Sequence, residues 1–328
     1  MFVLAGLLLC LFASVHSTNY QTIQPVRFLL FSVQESGTHF VRNVFLSLPK
    51  MYFWNELCAS SSEAPDVCLD KISLALALPT VTTPPSDEVI QNMMTSPSKK
   101  DVYLNGETPR CSGKGGLTQF QCFYYYMNRA NAISCILHQN QGWGKNEFMQ
   151  RFIQLHHKNK ELYGIDIRVL FLHRTNFIAH SIAAPNTNLR SHRDVTKTKY
   201  TIVLKNVYRT HYASQKVYFD AINVSRMNNI SSVYVTYERL NSNSSTFESL
   251  LLALHININS TILHVSNTTK HHSNHTYEYI HNIREVIVKL NSSSNPYVNS
   301  FTKLDVCMLY DNCVLQPPSF CEYIPCFV

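Results

Sequence analysis

Charge is sparse in this sequence: Asp, Glu, Lys and Arg make up only 15% of the 328 residues, while 12% are aromatic. Disordered chains show the opposite balance, so an unfolded chain is excluded. Long apolar runs are missing too. No window reaches the roughly 18 uninterrupted apolar residues of a spanning helix, which excludes a multispan membrane protein. There is no long basic run, and the formal net charge of +7, with 15 His, is scattered. That distribution does not point to nucleic acid as a partner. The Walker A pattern, the dinucleotide fingerprint and C-x-x-C pairs are all absent. What is present is apolar material, 45% of positions, enough for one large domain or two small ones.

The amino terminus points to a compartment. Phe2 to Ala13 is an uncharged apolar run followed by Val15-His16-Ser17, a pattern that suits a signal peptide over residues 1–17 cleaved after Ser17. The run is too short to span a bilayer, so no stable membrane span is expected after cleavage. Sequons for N-glycans occur at Asn223, Asn229, Asn243, Asn259, Asn267, Asn274 and Asn291. Chance predicts about three in a stretch of this composition. The expected route is therefore the secretory pathway, ending in the Golgi lumen or in secretion. Removing Cys10 with the signal leaves nine cysteines, whose default in an oxidising lumen is disulfides. Sequence does not fix their connectivity. Local pairs 58–68, 111–122, 307–313 and 321–326, with Cys135 free and buried, are the expectation.

Residues 18–328 read as one domain, with a Ser/Pro/Cys-rich insertion at about 59–116 and a Cys-rich segment at 305–328. Short apolar runs at Arg27–Val33, Ile167–His173 and Ser232–Tyr237 read as strands. Helices are expected at 40–48 and near 86–94, over 117–140 and 146–163, at Phe177–Ala183 before Pro185, and at 207–222, Phe247–Leu254 and 276–290. Strands separated by helices predict an α/β fold: three α/β/α layers around a central parallel sheet.

Ser36-Gly37-Thr38 lies between a strand and a helix. Gly permits a tight turn, while hydroxyls and the amides at a helix start can hold an anion. Arg174-x-Asn176-x-x-x-x-Ser181 leaves the second strand, where an Arg can clamp a phosphate. Tyr237-Glu238-Arg239-Leu240 closes the third and precedes Phe247-x-x-Leu250-Leu251. The Gly113-Lys114-Gly115-Gly116 stretch reads as loop, and the cluster Phe123 to Tyr126 as helix core. The run Lys270-His271-His272-x-x-His275 surrounds the Asn274 sequon and reads as a basic loop, so no metal is expected.

Taken together these pieces resemble the sulfotransferase family, in its Golgi carbohydrate and bacterial-type branch. The matching stretches are FSVQESGTHFVRNVF, Leu48-Pro49-Lys50 with Phe53-Trp54-Asn55-Glu56-Leu57, VLFLHRTNFIAHSIA, VTYERL with TFESLLLAL, and Ile280-x-Asn282-x-x-Glu285-Val286-x-x-x-Leu290. They cover about 26–57 and 165–290, in order. The resemblance implies a P-loop NTPase-like sulfotransferase fold and transfer of a sulfuryl group from 3′-phosphoadenosine 5′-phosphosulfate to a hydroxyl or amine of a carbohydrate acceptor. Ser36, Gly37, Thr38 and His39 would cradle the 5′-phosphosulfate, and Arg174 with Ser181 the 3′-phosphate. Glu35 stands where the family usually has Lys or Arg, and Ser181 comes seven residues after Arg174 rather than eight or more. Glu35 or His39 would act as base, and Arg42 is the nearest substitute cation. A catalytically inactive secreted glycoprotein that keeps the fold as a binding module is the rival expectation. A lumenal P-loop kinase is disfavoured by the missing Lys-Ser/Thr pair.

Overall fold

The computed structural model describes residues 24–34, 36–54, 57–58, 63–79, 127–183, 201–257, 280–291 and 319–327. The expected signal segment at 1–17, Glu35, the expected helix near 86–94, the Gly113–Gly116 stretch, the tyrosine cluster, the histidine-rich run and the expected 111–122 and 307–313 cysteine pairs lie outside them.

The chain opens with β1 (Val26–Ser32) and α1 (Thr38–Leu46), then β2 (Met51–Trp54) and α2 (Pro65–Ala75). Strand β3 (Ala132–His138) is followed by α3 (Asn146–Tyr163), β4 (Ile167–His173) and α4 (Phe177–Ala183). Next come α5 (Leu204–Met227), β5 (Ser232–Thr236), α6 (Tyr237–Ser242), α7 (Ser244–Ala253), α8 (Ile283–Asn291) and the short β6 (Cys326–Phe327). The six strands form one sheet in the order β2-β3-β1-β4-β5-β6, and every pair is parallel.

Alternating strand residues feed two cores. Leu29, Phe31, Val169, Phe171 and Tyr234 face α2, α3 and α5, while Phe28, Leu30, Leu170, Leu172 and Val235 face α1 and α7. With both faces covered, the strands are apolar on both sides, and each fully buried Leu or Phe contributes roughly 1.5–3 kcal/mol. This is an α/β architecture with helices on either side of a parallel sheet. A smaller cluster joins Phe177 and Ile178 of α4 to Leu204, Val207, Val286 and Leu290.

The three expected strands are observed as β1, β4 and β5, though β5 stops at Thr236 and Tyr237 opens a helix, where the hydroxyl of Thr236 accepts from the Arg239 amide; β2, β3 and β6 are additional to them. The helix expected over 117–140 is corrected: Ala132–His138 is strand β3. All seven of its residues are buried between β2 and β1, so the two-residue alternation that marks a strand is missing. The insertion at 59–116 holds a regular helix, α2, started by Pro65 with Asp66 in its first turn. The closing helix begins at Ile283, after a turn at 281–282. Cys58–Cys68 and Cys321–Cys326 are disulfides, and Cys135 is a buried free thiol, its pKa pushed up by burial.

Candidate functional site

Successive strands leave β1 in opposite directions: β2 and β3 lie on one side, β4 and β5 on the other. In open α/β sheets that reversal opens a crevice at the carboxyl ends of the strands, where ligands bind. Ser32 of β1 sits beside Leu172 of β4, so the loop carrying Ser36-Gly37 and the loop carrying Arg174 emerge side by side. Ser32 also anchors the β3 flank. Its hydroxyl meets Nδ1 of His138 at 3.0 Å, and Trp143 Nε1 donates to its carbonyl at 3.2 Å.

Gly37 has φ of 84° and caps α1, a left-handed conformation that side chains disfavour. A Cβ there would lie 2.1 Å from Cδ2 of Tyr237. The ring of Tyr237 therefore occupies the space that Gly37 leaves. Phe40 meets the same ring edge-on at 5.7 Å, and the Arg174 guanidinium carbon stands 5.2 Å from its centroid, within cation–π range. Two loops and helix α1 converge on this one aromatic side chain.

Its neighbour Glu238 is buried and accepts three hydrogen bonds from the β4–α4 loop. The donors are the Thr175 amide at 3.1 Å, the Thr175 hydroxyl at 3.0 Å and the Asn176 amide at 3.0 Å. Burial raises the Glu238 pKa, while Arg174 and the backbone amides pull the other way. Asn176 in turn accepts from the Ala179 amide at 3.0 Å, starting α4.

A third tie runs between α4 and the β1–α1 loop. His180 Nε2 lies 2.6 Å from the Gln34 carbonyl. A carbonyl can only accept, so Nε2 carries the proton. Burial lowers the His180 pKa to about 4, with Arg174 adding to the effect against the Gln34 bond. His211 is lowered to about 3 by burial and then by His180. His173 is lowered by burial, then by His211 and His180. The Phe177 ring touches all three histidines. Below them, the Tyr218 hydroxyl donates to the Leu172 carbonyl and accepts from the Val33 amide at 2.9 Å.

Ser36 Oγ is buried beside the Tyr218 hydroxyl with no aligned hydrogen-bond partner. Thr38 is buried at the start of α1, His39 is exposed, and Arg42 is buried one turn on with Nη2 donating to Asn43 Oδ1 at 3.3 Å. Helix α1 has no side-chain cap and no acidic residue in its first turn, which leaves its positive end suited to an anion. So Ser36, Gly37, Thr38 and Arg174 share one sheet edge, with Gly37 and Arg174 joined through Tyr237. Ser181 belongs to α4, but its side chain lies outside the described residues. His180, Tyr218 and the roles of Tyr237 and Glu238 were not readable from sequence. Only the Tyr-Glu pair at a strand's end gave a signal.

A scan against protein-family models finds no match, and a search of curated proteins finds none either. Among the described residues, the one cluster with metal-ligand chemistry is Cys58, Glu63 and Cys68. Its two sulfurs are joined as a disulfide and Glu63 pairs with Lys71. No helix among the described residues is long and apolar enough to cross a membrane.

Proposed function

We propose that this protein is a sulfotransferase of the secretory pathway, using 3′-phosphoadenosine 5′-phosphosulfate and a hydroxyl or amine acceptor on a carbohydrate. The observation that carries the reading is the convergence of the Ser36-Gly37-Thr38 loop and Arg174 on one edge of adjacent parallel strands, at the point where the strand order reverses. Strand order and the resemblance of the two loops together support a P-loop NTPase-like sulfotransferase fold.

The residues fit a phosphate-bearing ligand. Arg174 offers a cation, Ser36 a buried hydroxyl, and α1 an uncapped positive end. The donor, when bound, supplies an activated sulfuryl group, and its displacement is catalysed mainly by positioning and by cationic stabilisation of spreading charge. Ser36, Gly37 and Thr38 would hold the 5′ end, and Arg174 with Ser181 the 3′-phosphate. His39, exposed at the helix start, is suited to take the proton from an acceptor hydroxyl, a role shared in this reading with Glu35. Arg42 is the cation nearest along α1. The scheme needs no metal.

The described sequons agree with a secretory route: Asn229 is exposed and Asn223 and Asn243 are half-buried. Asn243 caps α7 through Oδ1, leaving its amide nitrogen for a glycan.

A rival reading, a catalytically inactive binding module on the same fold, rests on Glu35 at the position of the family's basic residue. The two are separated by thermal shift with 3′-phosphoadenosine 5′-phosphate, followed by transfer of labelled sulfate to a glycan panel. Ligand-induced stabilisation with turnover supports the enzyme. Stabilisation without turnover supports the binding module, and no stabilisation removes both. Arg174→Ala should weaken nucleotide binding by about tenfold or more, because a charge-assisted bond to a phosphate is worth roughly 1.5–3 kcal/mol. Calorimetric titration checks it, and unchanged affinity would count against the site.

A further inference from the structure

We propose that Tyr237 and Glu238 are positioning residues that set the β1–α1 and β4–α4 loops in one frame, so that two anion-binding elements from different strands act as a single site. Only the identity of the ligand rests on the nucleotide reading above.

The two residues are consecutive at the carboxyl end of β5, yet they reach different loops. Tyr237 is wedged against Gly37, so tightly that no Cβ fits between them, and its ring lies under the Arg174 guanidinium. It thus touches the turn of one loop and the cation of the other. Glu238 accepts from two successive amides and a hydroxyl at 175–176, directly after Arg174. A carboxylate satisfies all three donors at once because it only accepts. Fixing Thr175 and Asn176 fixes the backbone from which Arg174 projects. Neither residue needs to touch a ligand, since both act through the loops they hold. Burial of Glu238 with its donors paired is the arrangement a rigid support requires, because a buried carboxylate left unpaired is costly. His180, bonded to the Gln34 carbonyl, closes the third side between the two loops.

The full secreted chain with its disulfides intact is the material for the test. Amide hydrogen exchange is measured without ligand in wild type, Tyr237→Leu, Tyr237→Phe and Glu238→Gln, with affinity for 3′-phosphoadenosine 5′-phosphate measured alongside. Tyr237→Leu should raise exchange by about tenfold or more both at residues 36–38 and at 174–176, while β3 amides stay protected. Tyr237→Phe, which keeps the ring, should restore the wild-type pattern. Glu238→Gln presents an NH₂ group to the N–H donors and should raise exchange at Thr175 and Asn176. If it does not fold, Thr175→Val removes one of the three bonds and should give a smaller effect at the same amides. Nucleotide affinity should fall about tenfold in Tyr237→Leu and Glu238→Gln. In an Arg174→Ala background the further loss should largely vanish, the non-additivity expected of groups acting through one residue. A merely structural role would instead lower stability without that coupling. Unchanged loop exchange in Tyr237→Leu, or equal exchange in the Leu and Phe variants, overturns the proposal whatever the nucleotide does. Altered exchange with no nucleotide binding by wild type overturns the donor assignment and supports the positioning role.

Discussion

Gly37 couples backbone and packing at one residue. Replacing it with Ala asks a side chain to adopt φ of 84° and also drives a methyl group into the Tyr237 ring. The left-handed conformation costs roughly 1–2 kcal/mol and overpacking roughly 1–3 more. Gly37→Ala should therefore lose about 2–5 kcal/mol of stability, read as a shifted denaturant midpoint at constant m-value. In a Tyr237→Ala background only the conformational part should remain, so the two changes should not add. Additive losses would mean that the ring does not fill that space. The glycine itself was legible: its place between an apolar run and a helical pattern predicts a tight turn. Its tenant was not, because Tyr237 lies 200 residues away and nothing local marks the contact. The same holds for Glu238 and for His180, whose partners sit 62 or more positions off in sequence.

Among the elements, legibility followed burial geometry. β1, β4 and β5 are short apolar runs bounded by turn residues, and their order fixes a parallel sheet. β3 failed that reading. AISCILH is buried at every position, Ser134 and His138 included, and a mostly apolar run of that length is equally a piece of buried helix. β2 was visible only as an aromatic stretch, since four residues are too few to show a period. The disulfide between Cys58 and Cys68 ties the chain after β2 to α2 across ten residues. A loop of that size constrains the unfolded chain by about 2–3 kcal/mol. A Cys58→Ser, Cys68→Ser double variant should lose about that much, with the β1 and β4 amides still protected in exchange. A loss near zero would mean that the bridge adds nothing to the native state. This element borders the sheet on the β2 side, away from Arg174, so nucleotide affinity should be unaffected.

For the whole molecule, the buried histidines shape how stability answers to acid. His173, His180 and His211 come from β4, α4 and α5, and all three are held neutral with pKa values below the ordinary 6.5. In the unfolded chain they titrate near 6.5. Between that value and about 4, where His180 titrates in the fold, the unfolded chain binds more protons than the native one, so stability rises with pH and is lost as pH falls. Each histidine contributes up to about 1.4 kcal/mol per pH unit in its window. Glu238, raised by burial, has the opposite sign: just above the usual carboxylate range it makes the native state the better proton binder, and it blunts the slope there. Protonating His180 keeps its bond to Gln34, because Nε2 still donates, but it adds a positive charge facing Arg174 and His211. Acid should thus loosen the contact between α4 and the Arg174 loop without removing a hydrogen bond. Denaturant unfolding at about pH 7 and about pH 5 should show a lower midpoint at the acid value, and His180→Gln, whose amide can still donate to Gln34, should have a visibly shallower slope. Equal midpoints at the two pH values in the unsubstituted protein would mean that these histidines are not neutral and enclosed, and the polar knot joining α4, α5 and the β1–α1 loop would have to be drawn differently.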